Sequence, residues 1–157
     1  MRRISAPISV AVIAALAACA PRPAAVDPND PVITAVIDSL LRQALDGAQK
    51  VDADRVAAVA ADSLTFVTGD VILAGLQPIR ERFRQTYSHL QRQDQTVLEK
   101  RVRVLSPDVA IAIVTAEGTY TDRAGWTSPP VGLGTTLVFV RENGQWRAQH
   151  VHQSVVP

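Results

Sequence analysis

From residue 96 onward the chain has little freedom in what it can fold into. Four strand-length segments follow one another: Thr96 to Leu105, Val109 to Asp122, Gly134 to Arg141 and Gln145 to Val155. "SPD" joins the first two, and "ENG" joins the last two with the composition of a hairpin turn. A longer loop, "RAGWTSPPVGL", lies between the middle pair. This pattern predicts an antiparallel meander. In the second segment Ala110, Ala112, Val114, Ala116 and Gly118 share one side by strand alternation. Such a row of small side chains suits a sheet face on which a helix packs closely. Val109, Ile111 and Ile113 share the other side, which is also apolar and points to cover by a partner subunit, hence a homodimer.

The preceding residues are helical in pattern. Asp30-Pro31 has the form of an N-cap with proline in the first turn. Val32, Ile33, Val36, Ile37, Leu40, Leu41, Ala44 and Leu45 then recur at helical spacing as one broad apolar stripe. The pattern lapses at Gly47 and resumes as a short helix over Asp52 to Ala60. "SLTFV" (Ser63 to Val67) reads as a strand, "TGD" as a turn and "VIL" as a second short strand. A third helix opens after Gly75 and runs to about Tyr87, with Leu76, Ile79, Phe83 and Tyr87 on its buried side. Its arginines, with Arg92, Lys100, Arg101 and Arg103, read as solvated faces because acids are interspersed among them. Helices first and a meander last is the α+β signature, with the helices gathered on one face of the sheet.

Address is read from the other end of the chain. Arg2 and Arg3 precede a short apolar run, Ile8 to Leu16, which is well short of the roughly 20 residues a spanning helix needs. The run meets "LAAC", Leu16 to Cys19, a tetrapeptide that resembles the lipobox of bacterial lipoproteins, whose cysteine is acylated. Cys19 is the only cysteine in the chain, so no intramolecular disulfide is available and acylation accounts for it better than a free thiol in an oxidising compartment. The expected organisation is a signal peptide over 1–18, a proline-rich tether over 19–30 and one domain over 31–157. Acyl chains would hold the protein on a membrane. Ala20, rather than an aspartate, after the cysteine points to the outer membrane and a periplasm-facing domain. Two of the 16 basic residues leave with the signal against 15 acids, so the mature chain is slightly acidic and nothing argues for nucleic acid.

Three features together resemble the nuclear-transport-factor-2-like superfamily. They are the long first helix, the segment "VAADSLTFVTGDVILAG" (Val59 to Gly75) leading into a third helix, and the closing strand "NGQWRAQHVHQS". The last, with its tryptophan and His-x-His-x-Ser ending, is similar to the SnoaL-like bacterial branch and to the association domain of calmodulin-dependent kinase. The resemblance implies a cystatin-like cone, a curved antiparallel sheet wrapped around about three N-terminal helices, with a pocket inside and frequent sheet-to-sheet dimers. It implies no single function.

The closing strand holds two of three histidines. Strand alternation places Trp146, Ala148, His150, His152 and Ser154 on one face, which the tryptophan marks as the pocket side. Imidazoles at i and i+2 can share a zinc, but a third ligand is needed, and only His89, Asp62 or Glu117 are candidates. No HExxH or cysteine pair supports that idea, and the expectation is no metal and no cofactor. Histidine can also trade protons near neutrality, so a lyase or isomerase using His150 or His152 is one alternative. Isomerases of this superfamily take an aspartate base from the strand after the second helix; here that strand reads "LTFVTG", without an acid. Asp62 just upstream reads more plainly as a cap or turn residue. Glu117 is either an inward acid or a surface charge opposite Arg101 or Arg103. Tyr120 is expected to line the pocket, and Trp126 in the long loop to act as a lid or a dimer contact. The leading expectation is a pocket that binds a small apolar or amphipathic molecule without transforming it. A pure interaction module of the envelope is the third reading.

Overall fold

The structure is a computed structural model and describes residues 26–156. Its elements run α1 (Pro31–Gln49), α2 (Ala53–Ala57), β1 (Ala60–Thr68), β2 (Val71–Ala74), α3 (Leu76–Ser88), β3 (Leu90–Ser106), β4 (Val109–Asp122), β5 (Val131–Glu142) and β6 (Gln145–Val156). The signal, lipobox and most of the tether, Cys19 included, lie outside the described residues. No helix among the described residues is long and apolar enough to cross a membrane.

α1 begins where the sequence predicts. The Asp30 carboxylate accepts from the Val32 and Ile33 amides at 2.9 and 3.0 Å, and Pro31 takes the first helical position. Of the four orphan amide positions at the helix start, two are thereby satisfied and a third, at Pro31, carries no N–H. α2 is shorter than the expected Asp52 to Ala60, because Ala60 already pairs with Ala148 in the sheet. For the same reason β3 starts at Leu90 instead of Thr96: its polar start, "LQRQDQ", follows β4 to Asp122 through pairing and not through any apolar pattern of its own.

The six strands form one sheet in the order β2-β1-β6-β5-β4-β3. The expected meander is β3 to β6, antiparallel throughout. β1 instead lies parallel to β6, which makes the sheet mixed. The chain between them runs through β2, α3 and the β3–β5 meander, so no hairpin constrains its direction. Register shifts interrupt β3 near residues 91, 98 and 105, and β6 at Gln149. Each such bulge raises the local twist and bends the strand, which is how a sheet this long curls around its helices.

The inner face of the sheet packs on α1 and α3. Ile37, Ile79, Ala110, Ala112 and Phe139 are essentially sealed from solvent, and Leu64, Phe66, Leu137, Trp146 and Ala148 complete the core. The small-residue row of β4 is this inner face, as its pattern predicts. α1 runs antiparallel along β3: the Val104 amide donates to the Pro28 carbonyl at 2.9 Å, Lys100 and Asp38 form an ion pair at 2.6 Å, and the Gln49 amide donates to Gln95 O at 3.0 Å. A satellite cluster of Ala53, Tyr87 and Leu90 closes the α2–α3 end.

Candidate ligand groove

α1 carries more apolar width than the core uses. Ile33, Ile37, Leu40 and Leu41 turn inward, but Val32 is 72% and Val36 39% exposed. These two face a groove of about 520 Å3 between the start of α1 and the β5–β6 hairpin. Val32, Ile33, Val36 and Leu40 form one wall, and Trp146, itself buried, lies opposite. The hairpin tip is Asn143-Gly144, both at positive φ (51° and 78°), the conformation that an Asn-Gly step adopts most cheaply.

Two arginines flank the hairpin on opposite faces: Arg141 pairs with Trp146 and shares its inner face, whereas Arg147 pairs with Val140 on the outer one. Arg141 lies over the Trp146 ring at 5.9 Å, donates from Nε to Asp108 Oδ1 at 2.8 Å, and its amide bonds the Asp108 carbonyl at 2.8 Å. It is thus fixed between the indole and the β3–β4 turn. Arg147 donates to Ala58 O at 3.0 Å and to Gln145 Oε1 at 2.9 Å. Both of these partners are neutral. A second crevice of about 370 Å3 begins on the far side of Gln145 and Arg147, which line both cavities. Asp62, Arg80, Glu142 and Asn143 give it a polar lining.

The histidines are elsewhere. Phe139 pairs with Ala148 and Val138 with His150, so Gln149 is an extra residue in β6. Beyond it the alternation is reversed: Val151, opposite Leu137 and Phe66, faces inward. His150 and His152 therefore share the outer face with Thr65, Val67, Thr136 and Val138, and Ser154 goes with them. The expected single face for Trp146, Ala148, His150, His152 and Ser154 is corrected by that one-residue bulge, since a slip of one residue moves every later side chain to the other side. The cross-strand neighbours of His150 are Thr65 and Val138, and those of His152 are Val67 and Thr136; none of them titrates.

The other candidates do not join the histidines either. Glu117 is exposed on the outer face between Thr96 and Gly132, while Arg101 and Arg103 lie opposite Ile113 and Ile111. Asp62 is exposed on β1 and borders the polar crevice. Tyr120 and Trp126 meet edge to face at 5.8 Å at the far end of β4. Trp126 is held there, not over the groove: its amide donates to Asp122 Oδ1 at 2.9 Å and its carbonyl accepts from the Asp122 amide at 2.9 Å. No three His, Cys, Asp or Glu side chains among the described residues converge as a metal site. What sequence reasoning missed is Val32, Val36, Arg141, Gln145 and Arg147. Their signal was the excess width of the α1 stripe and the paired arginines around "ENGQW".

A curved sheet wrapped on three helices, with this strand order, places the chain among the nuclear-transport-factor-2-like, cystatin-like folds. A superfamily member from Salmonella enterica superimposes with a TM-score of 0.71 at 18% identity, covering 80% of this chain and 92% of that one. The association domain of the Caenorhabditis elegans calcium/calmodulin-dependent kinase II gives 0.63 at 20% identity, over 78% and 95%. A ketosteroid isomerase-like protein from Erwinia carotovora gives 0.67 at 20% identity, over 78% and 95%. No curated protein sequence matches the chain. Residues 33–157 match the family model of the calcium/calmodulin-dependent protein kinase II association domain, and the chain belongs to that family.

Proposed function

We propose that this chain is a lipid-anchored protein of the bacterial envelope whose domain binds a small amphipathic molecule without transforming it. The groove between α1 and the β5–β6 hairpin carries the reading. Its size lies within the usual range for small-ligand sites, and its lining is mostly aliphatic and aromatic with a few polar groups at one side, the usual composition of such a site. Its ionisable groups are arginines, which stay charged and do not exchange protons at working pH. That argues for binding over proton-transfer chemistry. The alternative enzyme would need an acid or base beside an enclosed substrate, and the neighbours of His150 and His152 supply none.

"LAAC" and Ala20 support the address: acylation at Cys19, signal and tether over 1–18 and 19–30, and a periplasm-facing domain over 31–157 at the outer membrane. The family's name, an association domain, supports self-assembly. A second copy against the outer sheet face is the partner we propose. Nucleic acid is not among the proposed partners.

Native mass spectrometry of the full chain extracted from its own envelope tests the binding reading. The expected result is a non-covalent small-molecule adduct on the wild-type chain that is lost in Val36→Glu. An adduct-free mass in both would overturn it.

A further inference from the structure

Three segments meet at one end of the molecule. The Pro28 carbonyl accepts from the Val104 amide at 2.9 Å, which brings the approach to α1 against the end of β3. Asp108, in the β3–β4 turn, accepts from both the amide and Nε of Arg141, which joins that turn to the β5–β6 hairpin. The rim of the groove, at Val32 and Gly144, belongs to the same end. Val32 is the most exposed large apolar side chain among the described residues, and Leu105, the extra residue of the last β3 bulge, is 53% exposed. Charges of both signs edge this end, with Asp27, Asp108 and Glu142 among Arg103, Arg141 and Arg147. Apolar side chains, and not one sign of charge, therefore set it apart.

The chain enters the domain here. The seven residue steps from Cys19 to Val26, however arranged, reach at most about 25 Å. β4 is 14 residues long and carries the opposite end, with Tyr120 and Trp126, roughly 40 Å away at about 3.3 Å per residue. A domain standing on that far end would lift Val26 out of reach of an anchor at Cys19.

We infer that this end of the domain rests on the lipid surface that holds the anchor, with Val32 and Leu105 inserted at the boundary of headgroups and acyl chains. Exposed apolar side chains gain by leaving water there, and the short tether removes most of the cost of bringing them to the surface. The inference rests on the acylation proposed at Cys19 and not on the ligand of the groove.

Cys19 is the only cysteine of the chain, so once acylation occupies it a cysteine introduced elsewhere is the only free thiol. The full chain would be purified with Pro107→Cys, in the β3–β4 turn, or with Ala124→Cys, at the far end; both positions are exposed. Each would be labelled with a nitroxide and reconstituted in vesicles of phosphatidylethanolamine and phosphatidylcholine. Oxygen concentrates in the bilayer and a water-soluble nickel chelate outside it, so the ratio of their collisions with the label reads its depth. The expected result is a ratio several-fold higher at Pro107→Cys than at Ala124→Cys, unchanged by salt or by added phosphatidylglycerol. Val32→Asp and Leu105→Asp should each bring the Pro107→Cys ratio down to the aqueous value, with circular dichroism unchanged. Neither is a core position, and an acid at Val32 suits the first turn of α1. An intact mass with unmodified Cys19 overturns the anchor and the orientation together. With acyl chains in place, aqueous ratios at both labels overturn the docking alone. A higher ratio at Ala124→Cys overturns the orientation, and a ratio that rises only with phosphatidylglycerol overturns its apolar basis.

Discussion

Tyr87 sits between α2, α3 and the start of β3, 7% exposed, with Phe83 at 5.8 Å between ring centroids. Burial pushes its phenol from 10.0 up to about 12, because the phenolate would lose its water. The sign follows from which state holds the proton. Below about pH 10 the phenol is neutral folded and unfolded, and its contribution is fully present. Between about pH 10 and 12 the unfolded chain ionises first, so stability falls, by about 3 kcal/mol for a shift of two pH units. Denaturant unfolding across that window should show the loss in wild type and a flatter profile in Tyr87→Phe. The histidines pose a different residue-level question. His152 is exposed on the outer face, so His152→Ala should change stability by no more than about 0.5 kcal/mol, as surface substitutions do. It should also leave amphiphile binding intact. Loss of binding with an unchanged fold would return the histidines to the site. Their true face was not legible in "QWRAQHVHQS". The residue types alternate plausibly in either register, and only the pairing of β5 with β6 reveals Gln149 as the extra residue.

At the scale of elements, what could be read from the sequence was whatever a local pattern specifies. The cap and stripe of α1, the alternating sides of β4 and the Asn-Gly turn are each set by residues within one or two turns of chain. The start of β3 and the parallel pairing of β1 were not legible, because they depend on strands distant in sequence. The division of the α1 stripe into core and groove depends likewise on where the β5–β6 hairpin lies. β4 offers a measurable case of close packing between elements. A Cβ added at Gly118 would fall inside contact distance of the Asp94 carbonyl and 3.0 Å from Gln95 Cγ across the strand pair. Backbone must then shift, so Gly118→Ala should cost about 1–3 kcal/mol. Gly132 on β5 is the control: its nearest neighbour would be 3.6 Å away, on the Val156 side chain, which is ordinary contact. Thermal unfolding should show a fall of several degrees for Gly118→Ala and little change for Gly132→Ala. Equal effects would mean that the β3–β4 approach is not tight.

The whole molecule leaves one large surface unexplained by its own helices. Its two sheet edges are poor sites for assembly. β2 is four residues long, and β3 is interrupted by three register shifts and partly covered, with Pro28 on the Val104 amide and Gln49 on the Gln95 carbonyl. Short, bulged or covered edges resist strand addition. The outer face is different. Ile72, Val67, His152, Thr136 and Ile113 form a continuous cross-strand row, and Thr65, His150, Val138 and Ile111 form the next. Ile72 is 70% and Ile113 47% exposed. A face this apolar with helices on only one side of the sheet is best satisfied by a second copy, and a two-fold pairing of identical patches closes without leaving a further surface for growth. Ile113 is the β4 member of the row and has Arg101 opposite it on β3, so a second positive charge there would meet a like charge as well as lose its water in the contact. Sedimentation of the full chain in detergent should give a dimer for wild type and a monomer for Ile113→Lys, with unchanged helix and strand content by circular dichroism. The same substitution should spare the small-molecule adduct seen by native mass spectrometry, because the groove lies on the opposite side of the sheet. A wild-type monomer would sink the sheet-to-sheet pairing. A dimer that survives Ile113→Lys would place the contact elsewhere on the molecule.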